Sequence, residues 1–316
     1  MNYSKQYINE IAQKSGFIAN NTEKVIRLLD VLKFIDEKFN RISHQLILKG
    51  GTAINLIYTN LARLSVDIDL DYVGSLEKEQ TLKDRERILE SLDNYMLKEG
   101  YSVSSKSRGS AILASRTYAY INAYGNRDNI KVEINFIDRI HILPIVNRKI
   151  NYFDKEVMIN APLEEELFAM KICALIDRSK PRDLYDTFRL KNDFLNLEKD
   201  KLRKLTVFYL SLDGIFELNE NSFKGIEAVS QDSIKKELLP VLKKNEKFNL
   251  EAIKQEVINF LQDLLVLTSD ETKYLEEFSK GTFNPSLLFD GCSAERAAKH
   301  PMAKWRINNI GKNNGN

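Results

Sequence analysis

Apolar residues recur at helical spacing in NTEKVIRLLDVLKFIDEKF, where Val25, Leu28, Leu29, Leu32, Ile35 and Phe39 share one face. This predicts an amphipathic helix, with Asn21 or Thr22 as its N-cap. HQLILKGG then reads as a short strand entering a glycine turn, TAINLIYTNL as a helix, and VDIDLDYVG, by strict alternation, as a strand. A helix around Ile88, Leu89, Leu92 and Met96 follows, then three strands at YSVSSKS, RTYAYINAYG and KVEINFI. After EVMINAP the period changes: LEEELFAMKICALIDR, PRDLYDTFRLKNDFL, LEKDKLRKLTVFYLSL and LEAIKQEVINFLQDLL all repeat as helices. The pattern predicts an α+β chain. A mixed sheet flanked by helices occupies residues 1–160 and a mostly helical domain residues 161–316, with the boundary resting on the change of period alone.

Length and composition narrow this picture without changing it. A chain of 316 residues, 43% apolar and 29% charged, can bury a core and is expected to fold as two domains. The start has no basic segment followed by an apolar run, and nowhere do roughly 18 apolar residues stand together, so a cytoplasmic protein with no membrane partner is expected. Cys173 and Cys292 are isolated and read as plain buried thiols; His44, His141 and His300 form no HExxH, which argues against zinc chemistry. The net charge of +2 hides a basic end: Arg296, Lys299, Lys304, Arg306 and Lys312 are accompanied by no acid after Arg296. That end reads as a solvated tail or as a nucleic-acid contact.

The chemistry concentrates in KGGTAINLIYTNLARLSVDIDLDY, residues 49–72. On a strand Asp67, Asp69 and Asp71 point one way, while Ile68, Leu70 and Tyr72 point the other and enter a core. Carboxylates on one face repel unless a cation intervenes, and oxygen-only ligands suit Mg²⁺ or Mn²⁺. A calcium EF-hand loop starting at Asp67 would need Gly and Glu where Tyr72 and Lys78 stand, and a P-loop would need four residues between its glycines. Both readings fail. Gly50 and Gly51 allow backbone N–H groups to approach an anion, with Thr52 at a helix start, so a phosphate-binding turn stands beside a cation-binding strand. The competing reading is an acidic strand on a solvated face after an ordinary turn.

KGGTAINL followed by RLSVDIDLDY resembles the GGT/GS…DxD signature of the DNA polymerase β-type nucleotidyltransferase superfamily, and more narrowly that of the AbiEii/AbiGii toxin family, to which the MenT-like toxins are related. Fourteen residues separate Thr52 from Asp67, more than in the minimal superfamily pattern. The resemblance implies a nucleotidyltransferase-like sheet and a triphosphate held by Lys49, Gly50, Gly51 and Thr52. It also implies a third carboxylate on a neighbouring strand, for which Glu133 in IKVEINFID is the candidate. With Asp67 and Asp69, Glu133 would bind one or two Mg²⁺ or Mn²⁺ ions; a surface glutamate is the alternative. LFAMKICALIDRSKPRDLYDTFRL resembles the family's KxxALxxRxxxRDlyD segment, placing Lys171, Arg178, Arg182, Asp183 and Asp186. The resemblance makes Asp67, Asp69, Lys171 and Asp183 catalytic and adds Lys171 and Arg182 to the nucleotide site; helix capping with an Arg182–Asp186 pair is the plain alternative. Ser65 would share the Asp67 face, touch a phosphate or accept a modification, unless it is an ordinary surface serine.

These residues together imply a metal-dependent enzyme that transfers NMP from an NTP, with its cleft between the two domains. By resemblance it is the toxin of a toxin–antitoxin, abortive-infection system that acts on the 3′ end of tRNA, with an antitoxin encoded nearby. The basic tail around Trp305 and the pairs Lys235/Lys236 and Lys243/Lys244 would follow an RNA backbone or simply face solvent. Nucleotidylylation of a protein, nucleotide binding without transfer, and modification of an antibiotic remain the rival readings.

Overall fold

The computed structural model describes residues 2–41, 43, 45–110, 112–193 and 197–313, without the side chains of 220 and 311–313. His44 and the side chain of Lys312 therefore lie outside the described residues. The chain divides into two units: one contains residues 1–139, 145–161 and 239–246, the other 140–144, 162–238 and 247–316. Two sets of hydrogen bonds account for the short excursions. The 239–246 segment is tied to the first unit by Leu64 N to Val241 O (2.8 Å), Lys244 N to Gly16 O (2.9 Å) and Asn21 Nδ2 to Pro240 O (2.6 Å). The 140–144 segment is tied to the second unit by the fully buried Glu166 carboxylate, which accepts from Ile142 N (2.7 Å), Leu143 N (2.8 Å) and the Tyr209 hydroxyl.

The first unit is built on a mixed sheet. Its strands are β1 (Leu46–Lys49), β2 (Asp67–Tyr72), β3 (Ser102–Val103), β4 (Arg108–Gly109), β5 (Leu113–Ile121) and β6 (Arg127–Asn135), in spatial order β1-β2-β6-β5-β3 with β4 added to β5. Among the described residues of this sheet, only the central pair β2–β6 is parallel. One sheet face carries Leu48, Ile68, Leu70, Tyr72, Ile130, Val132, Ile134, Ala114 and Tyr118, all buried. That face explains the strict alternation in the sequence: each second residue is apolar because it enters this core.

Helices α1 (Lys5–Ser15), α2 (Ala19–Ile35), α3 (Gly50–Ala53) and α4 (Lys78–Lys98) complete the unit, and α4 is fastened to the apolar face by its own polar residues. Asp84 accepts from Tyr72 (2.6 Å), and Asp93 accepts from Tyr118 (2.6 Å) and Arg116 (3.3 Å). Helix α2 starts at Ala19, earlier than expected, with Ile18 as N-cap. Thr22 donates from both N–H and Oγ1 to Ile18 O and Asn21 is engaged at Pro240, so neither side chain caps the helix. The helix expected over TAINLIYTNL starts at Gly50 and continues through a π-type turn, Ile54–Tyr58. The hairpin β7 (Ile145–Tyr152) and β8 (Lys155–Pro162) was not anticipated; its exposed Asn147, Arg148 and Lys149 hide the alternation that marks strands.

The second unit is helical where the period predicted it. Its helices include α5 (Glu164–Arg178), α6 (Pro181–Asp193), α7 (Lys199–Asp213) and a later helix over Leu250–Leu264. Cys173 is buried, whereas Cys292, expected inside, is exposed at the start of the helix Gly291–Lys299. Among the described residues no helix is long and apolar enough to cross a membrane.

The Asp93 contacts yield a stability prediction. Asp93→Ala leaves the fully buried Tyr118 without its acceptor and is expected to lower the unfolding free energy by about 1–3 kcal/mol. Adding Tyr118→Phe removes the unsatisfied hydroxyl and should recover part of that loss, as read from urea denaturation of both variants.

Candidate active site

The face of the sheet opposite the core is polar, and register sets its neighbours. Lys49 of β1 pairs with Asp69 of β2, Asp69 with Glu133 of β6, and Glu133 with Ser115 of β5. The next row holds Asp67, Lys131 and Thr117; the row on the other side holds Ile47, Asp71, Asn135 and Leu113. Residues in register point the same way, so Asp67, Asp69 and Glu133 share one face, with Asp69 beside Glu133.

The glycine turn lies against this face. Gly50 has φ +67°, which a side chain would strain, and a Cβ built on it would stand 2.7 Å from Asp69 Oδ2. A Cβ on Gly51 would collide with an Arg63 guanidinium nitrogen and lie 3.2 Å from Ser65 Oγ. The two glycines are therefore required for different reasons, one by the carboxylate and the other by an arginine. Thr52 is buried beneath the turn; its hydroxyl donates to the Asp67 carbonyl, and its Oγ1 is 2.9 Å from Ser65 Oγ. Ser65 lies outside the strand, which begins at Asp67, so it meets the turn through Thr52 rather than by extending the Asp67 face.

Two lysines occupy the same face in different surroundings. Lys49 Nζ is 2.6 Å from Asp71 Oδ1 and 3.9 Å from Asp138, and Asp71 is fully buried. Burial would lower the Lys49 pKa, but Asp71 and Asp138 more than offset it and hold the ammonium charged well above its ordinary range. Lys131, by contrast, is part-exposed and holds Glu133 Oε2 at 2.6 Å. The nitrogen of Lys49, expected at a nucleotide, is thus already engaged by an aspartate of its own sheet.

Arg63 is the residue that motif reading missed. It is 2% exposed, its Nη1 donates to Leu64 O (2.9 Å), and its guanidinium backs Gly51. RLSVDIDL shows only an arginine ahead of an alternating strand; its burial, which obliges it to meet an acceptor or an anion, is set by tertiary packing that the letters do not report.

The second unit carries its own charged centre. Lys171 of α5 is 6% exposed, with its Nζ 2.7 Å from Asp183 and 3.1 Å from Asp186, both buried on α6. The exposed Arg178 reaches back to the other Asp183 oxygen at 2.8 Å. Burial would raise the Asp183 pKa, but Lys171 and Arg178 prevail and hold it down at about 2. Pro181 begins α6, so Asp183 and Asp186 lie in or near its first turn, where the helix dipole also favours a carboxylate. Arg182, also expected at a nucleotide, is half-buried beside them. Asp186 bonds to Lys171 and is thus part of the same centre as Asp183.

A family model for the nucleotidyl transferase AbiEii toxin of type IV toxin–antitoxin systems matches residues 36–281. The chain belongs to this AbiEii nucleotidyltransferase toxin family. Its fold is similar to that of MenT4, a nucleotidyltransferase toxin from Mycobacterium tuberculosis H37Rv, with a TM-score of 0.64, 14% identity, and coverage of 98% of this chain and 99% of that one. No curated protein sequence matches this chain. The AbiEii protein is accordingly a nucleotidyltransferase toxin with an NTP substrate and an antitoxin partner, and enzymes of this kind use a divalent metal.

The residues present suit such a metal in kind, since Asp67, Asp69 and Glu133 offer only oxygen. Among the described residues no three His, Cys, Asp or Glu side chains converge closely enough to hold an ion as they stand. Glu133 is engaged by Lys131 instead.

Two predictions follow from this geometry. Gly50→Ala adds both left-handed strain and a clash with Asp69, so it is expected to cost about 1–2 kcal/mol and to displace the carboxylate. Thermal denaturation and a transfer assay on that variant check the two parts. Asp183 has its folded pKa depressed to about 2 against about 3.9 unfolded, so its contribution is full above pH 4 and falls away as pH drops toward 2. Between pH 6 and pH 3 the native protein should lose about 1 kcal/mol more than Asp183→Asn, measured by urea unfolding at both pH values.

Proposed function

We propose that this AbiEii toxin is a cytoplasmic enzyme of phage defence that binds an NTP and a divalent cation on the polar face of its sheet and transfers NMP to the 3′ end of tRNA. The observation that carries the donor half of this reading is the row Lys49–Asp69–Glu133 beside a Gly50 turn with no room for a side chain. Backbone N–H groups at Gly51 and Thr52 present the start of a helix to a phosphate, and Arg63 backs the turn so that it need not reorganise when an anion arrives.

Asp67, Asp69 and Glu133 would hold Mg²⁺ or Mn²⁺. A divalent ion held there would supply Lewis-acid neutralisation of the charge on the triphosphate. Thr52, through its bond to Asp67, fixes the start of β2 and therefore the direction of the first carboxylate. Lys49 and Asp71 hold β1 against β2 beside that arrangement, on the same face.

The family resemblance assigns Lys171 and Asp183 to transfer as well. Their burial and full ion pairing favour a second reading, in which the centre only joins α5 to α6. Lys171→Met separates the two: a catalytic lysine gives a folded, inactive protein, a structural one a lowered midpoint of unfolding with activity retained in the folded fraction. Support for an RNA acceptor comes from exposed Lys235, Lys236, Lys243 and Lys244. The basic end is not wholly a solvated tail, because Arg306 Nε bonds to Leu212 O at 3.0 Å, although Trp305 is exposed.

Incubation with total tRNA, Mg²⁺ and each α-labelled NTP in turn tests the whole reading. Label is expected in RNA and at least 100-fold less of it with Asp69→Asn, the scale on which loss of a catalytic electrostatic contact is felt. Label in protein would select protein nucleotidylylation, and transfer indifferent to Asp69 would overturn the proposed site.

A further inference from the structure

We infer that Lys131 is an internal cation that competes with the divalent ion for Glu133 and, once displaced, binds a phosphate of the nucleotide, so that cation and nucleotide bind cooperatively. This rests on the reading of Asp67, Asp69 and Glu133 as cation ligands. The register places Lys131 beside Asp67 and two residues before Glu133, on the same face as both. Its Nζ lies 2.6 Å from Glu133 Oε2, so it neutralises the charge that a cation at that carboxylate would use.

The exposure of the pair decides whether it can exchange. Lys131 and Glu133 side chains are 40% and 28% exposed, and water reaching both ends of the pair weakens it, leaving little for a divalent ion to overcome. The other lysine on this face behaves differently. Parting Lys49 from Asp71, which is fully buried, would strand the carboxylate's charge without water. Of these two lysines, Lys131 is the one free to move.

Its destination is set by the same register. Asp67, the neighbour of Lys131, has its carbonyl bonded to the Thr52 hydroxyl, so the Lys131 row meets the glycine turn as the adjoining Asp69 row does at Gly50. An ammonium released from Glu133 on a four-carbon stem therefore stands in the row that meets the proposed phosphate cradle. A cation that takes Glu133 frees a positive group for the phosphate. By reciprocity, a phosphate that takes Lys131 frees Glu133 for the cation.

Mn²⁺ binding followed by electron paramagnetic resonance, and tripolyphosphate binding followed by calorimetry with and without Mn²⁺, test this on the full chain without any turnover. Lys131→Met should bind Mn²⁺ roughly 3–10-fold more tightly than the native protein, since its competitor is gone. In the native protein Mn²⁺ should strengthen tripolyphosphate binding, and in Lys131→Met that strengthening should shrink at least threefold. Lys131→Arg, which keeps the charge, should restore native-like Mn²⁺ affinity. Unchanged or weaker Mn²⁺ binding in Lys131→Met, with native binding still abolished by Glu133→Gln, overturns the inference alone. Native protein that binds no Mn²⁺, or binds it equally with Glu133→Gln, overturns the cation site and the inference with it.

Discussion

An oxygen of Asp69 lies where the side chain of residue 50 would otherwise begin, and the first unit is organised around that exclusion. Position 50 strongly favours glycine, because of both its left-handed φ and the 2.7 Å approach to Asp69 Oδ2. The carboxylate row and the start of the helix are thereby held in contact. The parallel β2–β6 pair then sets Glu133 beside Asp69, while Thr52 and Arg63 brace the turn from below and behind. The apolar half of each strand supplies the cohesion that lets this face concentrate like charge, since Ile68, Leu70, Val132 and Ile134 are essentially without solvent contact.

Charge on this protein is divided between fixed and movable pairs. Asp71, held by the part-exposed Lys49, and Lys171 with Asp183 and Asp186 are buried, so removing the lysine from either centre would leave carboxylate charge that water cannot reach. Lys131 and Glu133 are both part-exposed, so separating them costs little. The fixed pairs define where helices and strands meet; the movable one leaves a carboxylate available for chemistry. Two pairs of the same length, 2.6 Å, one with a fully buried carboxylate and one part-exposed at both ends, therefore have opposite roles.

Much of this was legible in the letters, for identifiable reasons. Alternation in VDIDLDY and KVEINFI reported the two-faced sheet because one face is fully buried, and helical spacing in residues 164–213 reported the second unit for the same reason. The family motif was legible because its glycines and aspartates answer to local geometry. What escaped was tertiary. Nothing local marks Asp71 as the partner of Lys49, nor shows that Arg63 turns inward behind Gly51. The β7–β8 hairpin was missed because its outward residues are polar in succession, and Cys292 was placed inside only because cysteine usually is. The excursions of 140–144 and 239–246 depend on single anchors such as Glu166 that no periodicity reports.

The central claim is that one sheet face gathers cation and triphosphate around Asp69. A crystal structure of the protein with Mn²⁺ and a triphosphate analogue that cannot be cleaved between its α and β phosphates, phased to show manganese anomalous scattering, tests it directly. The account predicts a manganese peak bonded to Asp69 and Glu133, with phosphate oxygens on the backbone N–H groups of Gly51 and Thr52. Manganese bound away from Asp69, or a triphosphate remote from the glycine turn, would contradict it.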